Sequence, residues 1–491
     1  MIHLPQLDAN SDEPIYRQLH ARIKASIRDG SLAPGERIPP TRELAGLLGL
    51  NRTTVAAAYE LLEAEGLIRG HVGRGSFVAG PNDPGPAASG AMEWEDRFVA
   101  NRAPDPPVPV AAPGTDLISF TSARPAAELF PLTEFRNACR EVIDGPEAVE
   151  ILQLGSPLGY APLRAYLQGQ KRPDEDLLIT NGCQQALDLL QRLFTRQGDC
   201  VLVEDPIYPG LRNVFAHAGV RIVGVPVGPD GLDVEALPRL IARERPRLIV
   251  VTPSFQNPTG ATMPLAARQA LLRIARENRL VVVENDIYAE LRYQGAELPS
   301  LKQMDDSGDT IQMKSFSKLA FPGLRVGWVT GPRPVIGRLA ELKQWTDLHS
   351  DQLSQAVLLR FAQSGSLESH RQRMVEAGRA RLHAVLSACE RYLPQGARFT
   401  RPQGGMNLWV RLPDPLDASE LLPKAQRAGM SFLPGRYFAV SRQEPGALRL
   451  SFAGLPPEQI ETGLAILGRV CQEELTAARA AQSAGLAPVI V

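Results

Sequence analysis

The chain has 491 residues, 44% of them hydrophobic, and a formal net charge of −1, which allows two or three domains with a large core and excludes a chain too polar to fold. Near-neutrality gives no global signal for nucleic acid, so any DNA contact must come from a local face. The cysteines Cys139, Cys183, Cys200, Cys389 and Cys471 are scattered and form no Cys-x-x-Cys pair, which argues against a disulfide scaffold or a zinc site and fits a reducing cytoplasm. Residues 1–12 hold no basic stretch followed by an apolar run, and no segment reaches a membrane-spanning length, so neither secretion nor membrane insertion is expected.

Ile15, Leu19, Ile23 and Ile27 recur every fourth position and predict an amphipathic helix, stopped by Gly30, Pro34 and Gly35. A second short helix is expected over 41–48, ending at Gly49, and a third over 52–65, ending at Gly66. Asn51 is placed to cap the third. This is helix-turn-helix spacing. Two short apolar runs within 67–78, around a glycine-rich turn, read as a hairpin or wing. The third helix puts Val55, Tyr59 and Leu62 on its buried face and leaves Asn51, Arg52, Thr53 and Thr54 at its exposed N-terminal end, the end that enters the major groove in such motifs. An arginine there can donate two hydrogen bonds to a guanine, and threonines can meet phosphates or thymine methyls. Arg42 and Arg74 would flank this end as phosphate or minor-groove contacts. The alternative is a three-helix dimerisation or docking module with solvated arginines; the wing directly after the third helix favours DNA.

Residues 39–45 (Pro39-Pro40-Thr41-Arg42-Glu43-Leu44-Ala45), 51–55 (Asn51-Arg52-Thr53-Thr54-Val55), 61–68 and Gly73-Arg74-Gly75 resemble the winged-helix domain of the GntR family. The resemblance implies that Arg42, Arg52 and Gly73 contact operator DNA. It departs at Pro40, where the family usually has a serine capping the second helix; Thr41 is expected to take that role. Residues 1–80 are therefore read as this module. Residues 81–115, rich in Pro, Gly and Ala, are read as an extended linker in which Trp94 and Phe98, four apart, suit a helical turn that docks on one of the domains.

The remainder, 116–491, alternates helical patterns with short apolar strands at 177–180, 201–203, 248–251 and 280–283, which predicts a mainly parallel, helix-covered sheet with functional groups at the strands' C-terminal ends. Those ends carry Asn181-Gly182-Cys183-Gln184, a glycine turn opening a helix suited to a phosphate; Tyr208, able to stack on a flat ring; Asn257, an amide for a phenolic oxygen; and Asp286, a partner for a pyridine nitrogen. Further on, Lys318 stands between the hydroxyls of Ser315 and Ser317 and the fork of Arg325 in an otherwise apolar or small segment. A buried amine is pushed toward neutrality, as Schiff-base chemistry requires, and the hydroxyls and arginine suit a phosphate ester beside it. Each feature alone has a structural reading: a helix cap, a loop aromatic, a proline turn, a strand-end carboxylate, a strand ending in a surface lysine. Together they describe a pyridoxal 5′-phosphate (PLP) pocket.

This part resembles the fold-type I aminotransferases over nearly its full length, which implies an α/β PLP-binding domain with a small C-terminal α+β subdomain from about residue 375, entered near 403–407. The resemblance makes Lys318 the Schiff-base lysine and Asp286 the pyridine-nitrogen partner. It puts Asn257 and Tyr288 on the ring hydroxyl and Tyr208 on the ring face. Cys183, Gln184, Ser315, Ser317 and Arg325 would hold the phosphate, and Arg449 a substrate carboxylate. One departure is Leu154, where the family commonly has a tyrosine reaching across a dimer to the phosphate. Either the cofactor is held more weakly, or Tyr160 or another group substitutes.

A GntR winged helix joined to an aminotransferase-like domain is the arrangement of the MocR family, of which the GabR type is one. The resemblance implies a cytoplasmic homodimer, a PLP-dependent transcriptional regulator whose operator binding responds to PLP or to an amine or amino-acid effector through a Schiff base. An active aminotransferase, with the N-terminal module vestigial or used in assembly, is the competing reading, since every catalytic residue type is present. A sensor of PLP controlling the cofactor's own synthesis differs from the first only in its ligand.

Overall fold

In the computed structural model the described residues are 7, 14–71, 75–79, 117–169, 172–441 and 443–485, and the chain divides into two compact units, 1–100 and 101–491. Gly73 and Arg74 of the expected wing, and the whole expected linker with Trp94 and Phe98, lie outside the described residues.

The first unit holds α1 (Ile15–Arg28), β1 (Arg37–Ile38), α2 (Thr41–Leu48), α3 (Arg52–Ala64), β2 (Ile68–His71) and β3 (Gly75–Val78). β3 lies between the other two strands and is antiparallel to both. Leu19 from α1, Leu44 from α2, and Val55, Tyr59 and Leu62 from α3 meet Ile68 and Val78 in one core. The chain leaves α2 through Gly49 at φ 64°, a conformation that glycine adopts without steric cost. Asn51 then caps α3, its Oδ1 accepting the Thr53 amide at 3.2 Å. The Tyr59 hydroxyl donates to the Pro39 carbonyl at 2.7 Å, tying α3 to the segment before α2. The expected cap by Thr41 is not formed: Thr41 is the first helical residue, and Pro40 takes the cap position with extended backbone angles and no side-chain acceptor.

In the second unit, β4 (Ile118–Ser119) comes first. There follow β5 (Glu175–Thr180), β6 (Cys200–Asp205), β7 (Arg221–Gly228), β8 (Gly231–Leu232), β9 (Leu248–Val251), β10 (Val281–Asn285), β11 (Ile311–Ser315) and β12 (Gly327–Pro332). They form one sheet in the order β5-β12-β11-β10-β9-β6-β7-β8. β7, β6, β9, β10 and β11 pair in parallel, while β12 runs antiparallel to both β11 and β5. The four buried positions of β9 and the buried run of β6 explain their continuous apolar sequence, since strands covered on both faces need no alternation.

A smaller antiparallel sheet contains β13 (Arg398–Phe399), β14 (Asn407–Arg411), β16 (Leu433–Pro434) and β17 (Ala447–Ser451), in the order β13-β14-β17-β16. β15 (Met430–Ser431) pairs instead with β4, drawing residues 118–119 onto this part of the fold. The 27-residue helix Ser366–Tyr392 contributes Met374, Leu382 and Val385 to the core beneath the small sheet. Among the described residues no helix is long and apolar enough to cross a membrane.

Candidate functional site

Loops at the C-terminal ends of β5, β6, β9, β10 and β11 converge, with β17, on a cavity of about 540 Å³. Cys183, Gln184, Tyr208, Asn257, Tyr288, Ser315, Ser317, Lys318, Arg325 and Arg449 all line it. Asp286 is buried between two residues of its wall, Asn285 and Ile287.

One end of the cavity is shaped for an anion. Gly182 opens the helix Gly182–Phe194 at φ 76°, and a Cβ there would lie 2.5 Å from Arg325 Nη2. A Cβ on Gly327 would lie 2.9 Å from Gly182 Cα, so the helix end, β12 and the guanidinium approach this closely only because both positions lack side chains. First-turn amides of a helix have no intrahelical acceptor and favour an anion. Arg325 is exposed and its Nη1 donates to Ser317 Oγ at 3.4 Å. The Ser315 hydroxyl is engaged within its own turn. It accepts the Ser317 amide at 3.0 Å and has Val326 O and Ser317 Oγ as acceptors at 3.0 and 2.9 Å. Cys183 offers its backbone rather than its thiol, which donates to the Lys314 carbonyl at 3.4 Å and is pushed by burial up to about 12. The Gln184 side chain donates to the Gly210 carbonyl at 3.2 Å.

At the centre, Lys318 Nζ donates to the Ala123 carbonyl at 2.6 Å. Burial, reinforced by the Arg449 guanidinium, brings its pKa down to about 8. Arg449 is itself buried, and burial lowers it to about 10. Its Nη1 donates to Asn257 Oδ1 at 3.1 Å, its Nη2 donates to the Thr121 carbonyl, and the guanidinium lies 4.9 Å from the Phe438 ring centroid. Its buried Nε has no hydrogen-bond partner among the described residues. Asn257 Nδ2 donates to the Tyr288 hydroxyl at 3.4 Å, and burial pushes that phenol up to about 12. Burial also raises Asp286, with the Lys314 ammonium opposing it. Asp286 Oδ2 accepts from Gln312 Nε2 at 3.0 Å, and the same amide donates to Glu284 at 3.1 Å.

These groups fit PLP. The glycine-walled cradle at the helix end matches a phosphate, the depressed amine of Lys318 matches a carbonyl carbon, and the orphaned Nε of Arg449 leaves a donor for a carboxylate. Tyr160 stays outside the cavity of its own chain. Its OH donates to Glu147 at 3.3 Å, while the Leu154 side chain is 79% exposed. Sequence reasoning also missed Thr121, Ala123, Gln312 and Phe438. The first two act through backbone carbonyls, which leave no mark on residue type.

In the first unit, Asn51, Arg52 and Thr53 are exposed and Thr54 is half-buried at the start of α3; Arg42 is exposed on α2.

Residues 162–467 match the model of the class I and II aminotransferases, and residues 15–78 that of the bacterial regulatory proteins of the gntR family. A 2-aminoadipate transaminase of Thermus thermophilus is 40% identical over 72% of this chain and 89% of the relative. The probable rhizopine catabolism regulatory protein MocR of Rhizobium meliloti is 31% identical over 93% of this chain and 94% of its own. The alpha-aminoadipate aminotransferase LysN from Thermus thermophilus, complexed with N-(5′-phosphopyridoxyl)-L-leucine, superimposes with a TM-score of 0.73 at 37% identity, covering 79% of this chain and all of that one.

Proposed function

This chain belongs to the MocR-type regulators, in which a GntR winged helix is fused to a class I and II aminotransferase domain, and from that premise we propose a PLP-dependent transcriptional regulator whose operator affinity is set by an amino acid or amine. The first unit reads operator DNA through Asn51, Arg52, Thr53 and Thr54, with Arg42, Gly73 and Arg74 on the flanking backbone. In the second, the amides of Cys183 and Gln184, with Ser317 and Arg325, hold the cofactor's phosphate, and Ser315 shapes the turn that presents them. Tyr208 covers the ring, Asn257 and Tyr288 take its oxygen, and Asp286 takes its nitrogen.

Bound there, PLP supplies an electrophilic carbonyl carbon and an electron-withdrawing ring. The protein's share is to orient and to move protons. Arg449 fixes the ligand carboxylate with its fork, Asn257 keeps that fork in place, and Lys318 takes or gives a proton at Nζ. A ligand changes operator binding only by favouring one arrangement of the protein over another. The protein acts as a homodimer in the cytoplasm, where its DNA target is.

The observation that carries this reading is the co-occurrence, in one chain similar to a MocR relative over nearly its full length, of a capped α3 with an exposed N-terminal end and a cavity whose lining suits PLP. A second reading, a turnover transaminase, is favoured by the intact set Lys318, Asp286, Asn257, Tyr288, Arg325 and Arg449 and by the 40% identity to a transaminase. The test is an absorbance titration of the PLP-loaded protein with a panel of amino acids and amines, with and without a keto-acid acceptor, alongside operator binding. A ligand-specific spectral change that stalls and alters operator affinity supports the regulator. Repeated turnover to keto acid with unaltered operator affinity overturns it in favour of the enzyme.

A further inference from the structure

A charged cluster sits behind the anion-binding end of the helix Gly182–Phe194, and no group of the cavity belongs to it. Lys343, in the helix Arg333–Asp347, is fully buried, and its ammonium donates to both oxygens of Asp347 at 2.6 and 2.8 Å. Asp347 Oδ2 also accepts from Asn181 Nδ2 at 2.8 Å and from Gln185 Nε2 at 2.7 Å. Gln185 Oε1 in turn accepts the Asn181 amide at 2.8 Å. One carboxylate from a distant element thus grips the residue just before the helix and a residue of its first turn.

The arrangement is locally unfavourable. A buried ammonium has lost its hydration. A carboxylate at the C-terminal end of its own helix opposes the helix dipole. Leu348, which follows it, holds φ 62° without being glycine. What these costs accompany is a fixed orientation for the segment between Asn181 and Gln185, the amides of Gly182, Cys183 and Gln184.

We propose that Asp347 is a positioning residue for the PLP phosphate, and that Lys343 is the counter-charge that lets it be one. Asp347 holds Asn181 and Gln185 so that the intervening amides point at one spot. Lys343 neutralises the carboxylate, which would otherwise repel a phosphate dianion at the same helix end. The inference rests on the reading that this helix end holds the cofactor's phosphate.

The test compares dissociation constants of PLP and of pyridoxal, which lacks the phosphate, for the full-length protein and for Lys343→Met, Asp347→Asn and the double variant. Each single variant is expected to weaken PLP about tenfold, the loss of a charged hydrogen bond, and to leave pyridoxal unchanged. The double variant, with no uncompensated charge, is expected to bind PLP better than Lys343→Met. Equal weakening of both ligands would reduce the cluster to general stability, and unchanged PLP affinity would remove its role; either overturns the proposal. Should Lys343→Met fail to fold, the double variant carries the same comparison without a lone buried charge. A wild-type protein that binds PLP no better than pyridoxal would instead sink the underlying reading of the helix end.

Discussion

On the proposed reading, the depressed pKa of Lys318 sets how fast the protein captures its cofactor, and at what pH. The ordinary value of 10.5 falls to about 8, through burial first and the Arg449 guanidinium second. Only the neutral amine attacks a carbonyl. The lowered value raises the neutral fraction at neutral pH by roughly 300-fold. The rate of covalent attachment of PLP to cofactor-free protein, followed by visible absorbance, should therefore climb about tenfold per pH unit and level off near 8. Arg449→Met removes the second cause and should move the midpoint upward, but short of 10.5, because burial remains. The same shift has a stability consequence of definite sign. Between about 8 and 10.5 the unfolded chain binds the proton and the folded one does not, so cofactor-free protein gains stability as pH rises through that window. A capture rate still climbing above pH 10, or a midpoint indifferent to Arg449→Met, would refute the account of how the pocket tunes this amine.

Arg52→Ala should weaken specific operator binding by ~1–3 kcal/mol without altering the fold, as measured by titration of labelled operator at fixed salt; unchanged affinity would count against the docking of α3. Gly182→Ala places a Cβ 2.5 Å from Arg325 Nη2, too close for the guanidinium to stay where it is, at a φ of 76° that L-residues rarely adopt. It should weaken PLP by about tenfold or more and lower stability by about 1 kcal/mol, and retained affinity would show that the cradle is not closed as described. Tyr59→Phe removes the hydrogen bond to the Pro39 carbonyl and should cost about 1 kcal/mol in the N-terminal unit, leaving the Pro39 carbonyl oxygen unpaired there; amide exchange along α3 reports it, and unchanged exchange refutes it. Lys318→Ala should abolish covalent PLP and, by freeing the Ala123 carbonyl, speed amide exchange over residues 117–124 by about tenfold; covalent cofactor surviving in the variant would overturn the assignment of the lysine.

Legibility in the sequence follows the distance over which each feature is decided. The N-terminal end of α3 is decided locally: the glycine after α2, the cap at Asn51 and the buried face of Val55, Tyr59 and Leu62 all fall within residues 49–62. Periodicity and cap chemistry were enough to read it. Four strands of the large sheet were legible for the same reason, as apolar runs ending in turn residues. β11 was not, because Gln312 and Lys314 alternate with Ile311 and Met313 and break the apolar run. The wrong expectation for Thr41 has a cause of the same kind: residue type says that a hydroxyl is available, while the backbone decides which way it faces.

The cavity itself divides along this line. The residue types in Ser315-Phe316-Ser317-Lys318 and Arg325 announce amine and phosphate chemistry on sight, yet nothing in that stretch encodes how the amine is tuned. Its direction comes from the Ala123 carbonyl, which enters because β4 pairs with β15, and its acidity comes partly from Arg449 on β17. Arg449 is in turn fixed by Asn257 after β9, by the Thr121 carbonyl and by the ring of Phe438. The carbonyls of residues 121 and 123 thus hold Lys318 and Arg449 from one short segment of backbone. Changing a side chain in that segment leaves both carbonyls in place, so its contribution shows only when the donors Lys318 and Arg449 are changed one at a time.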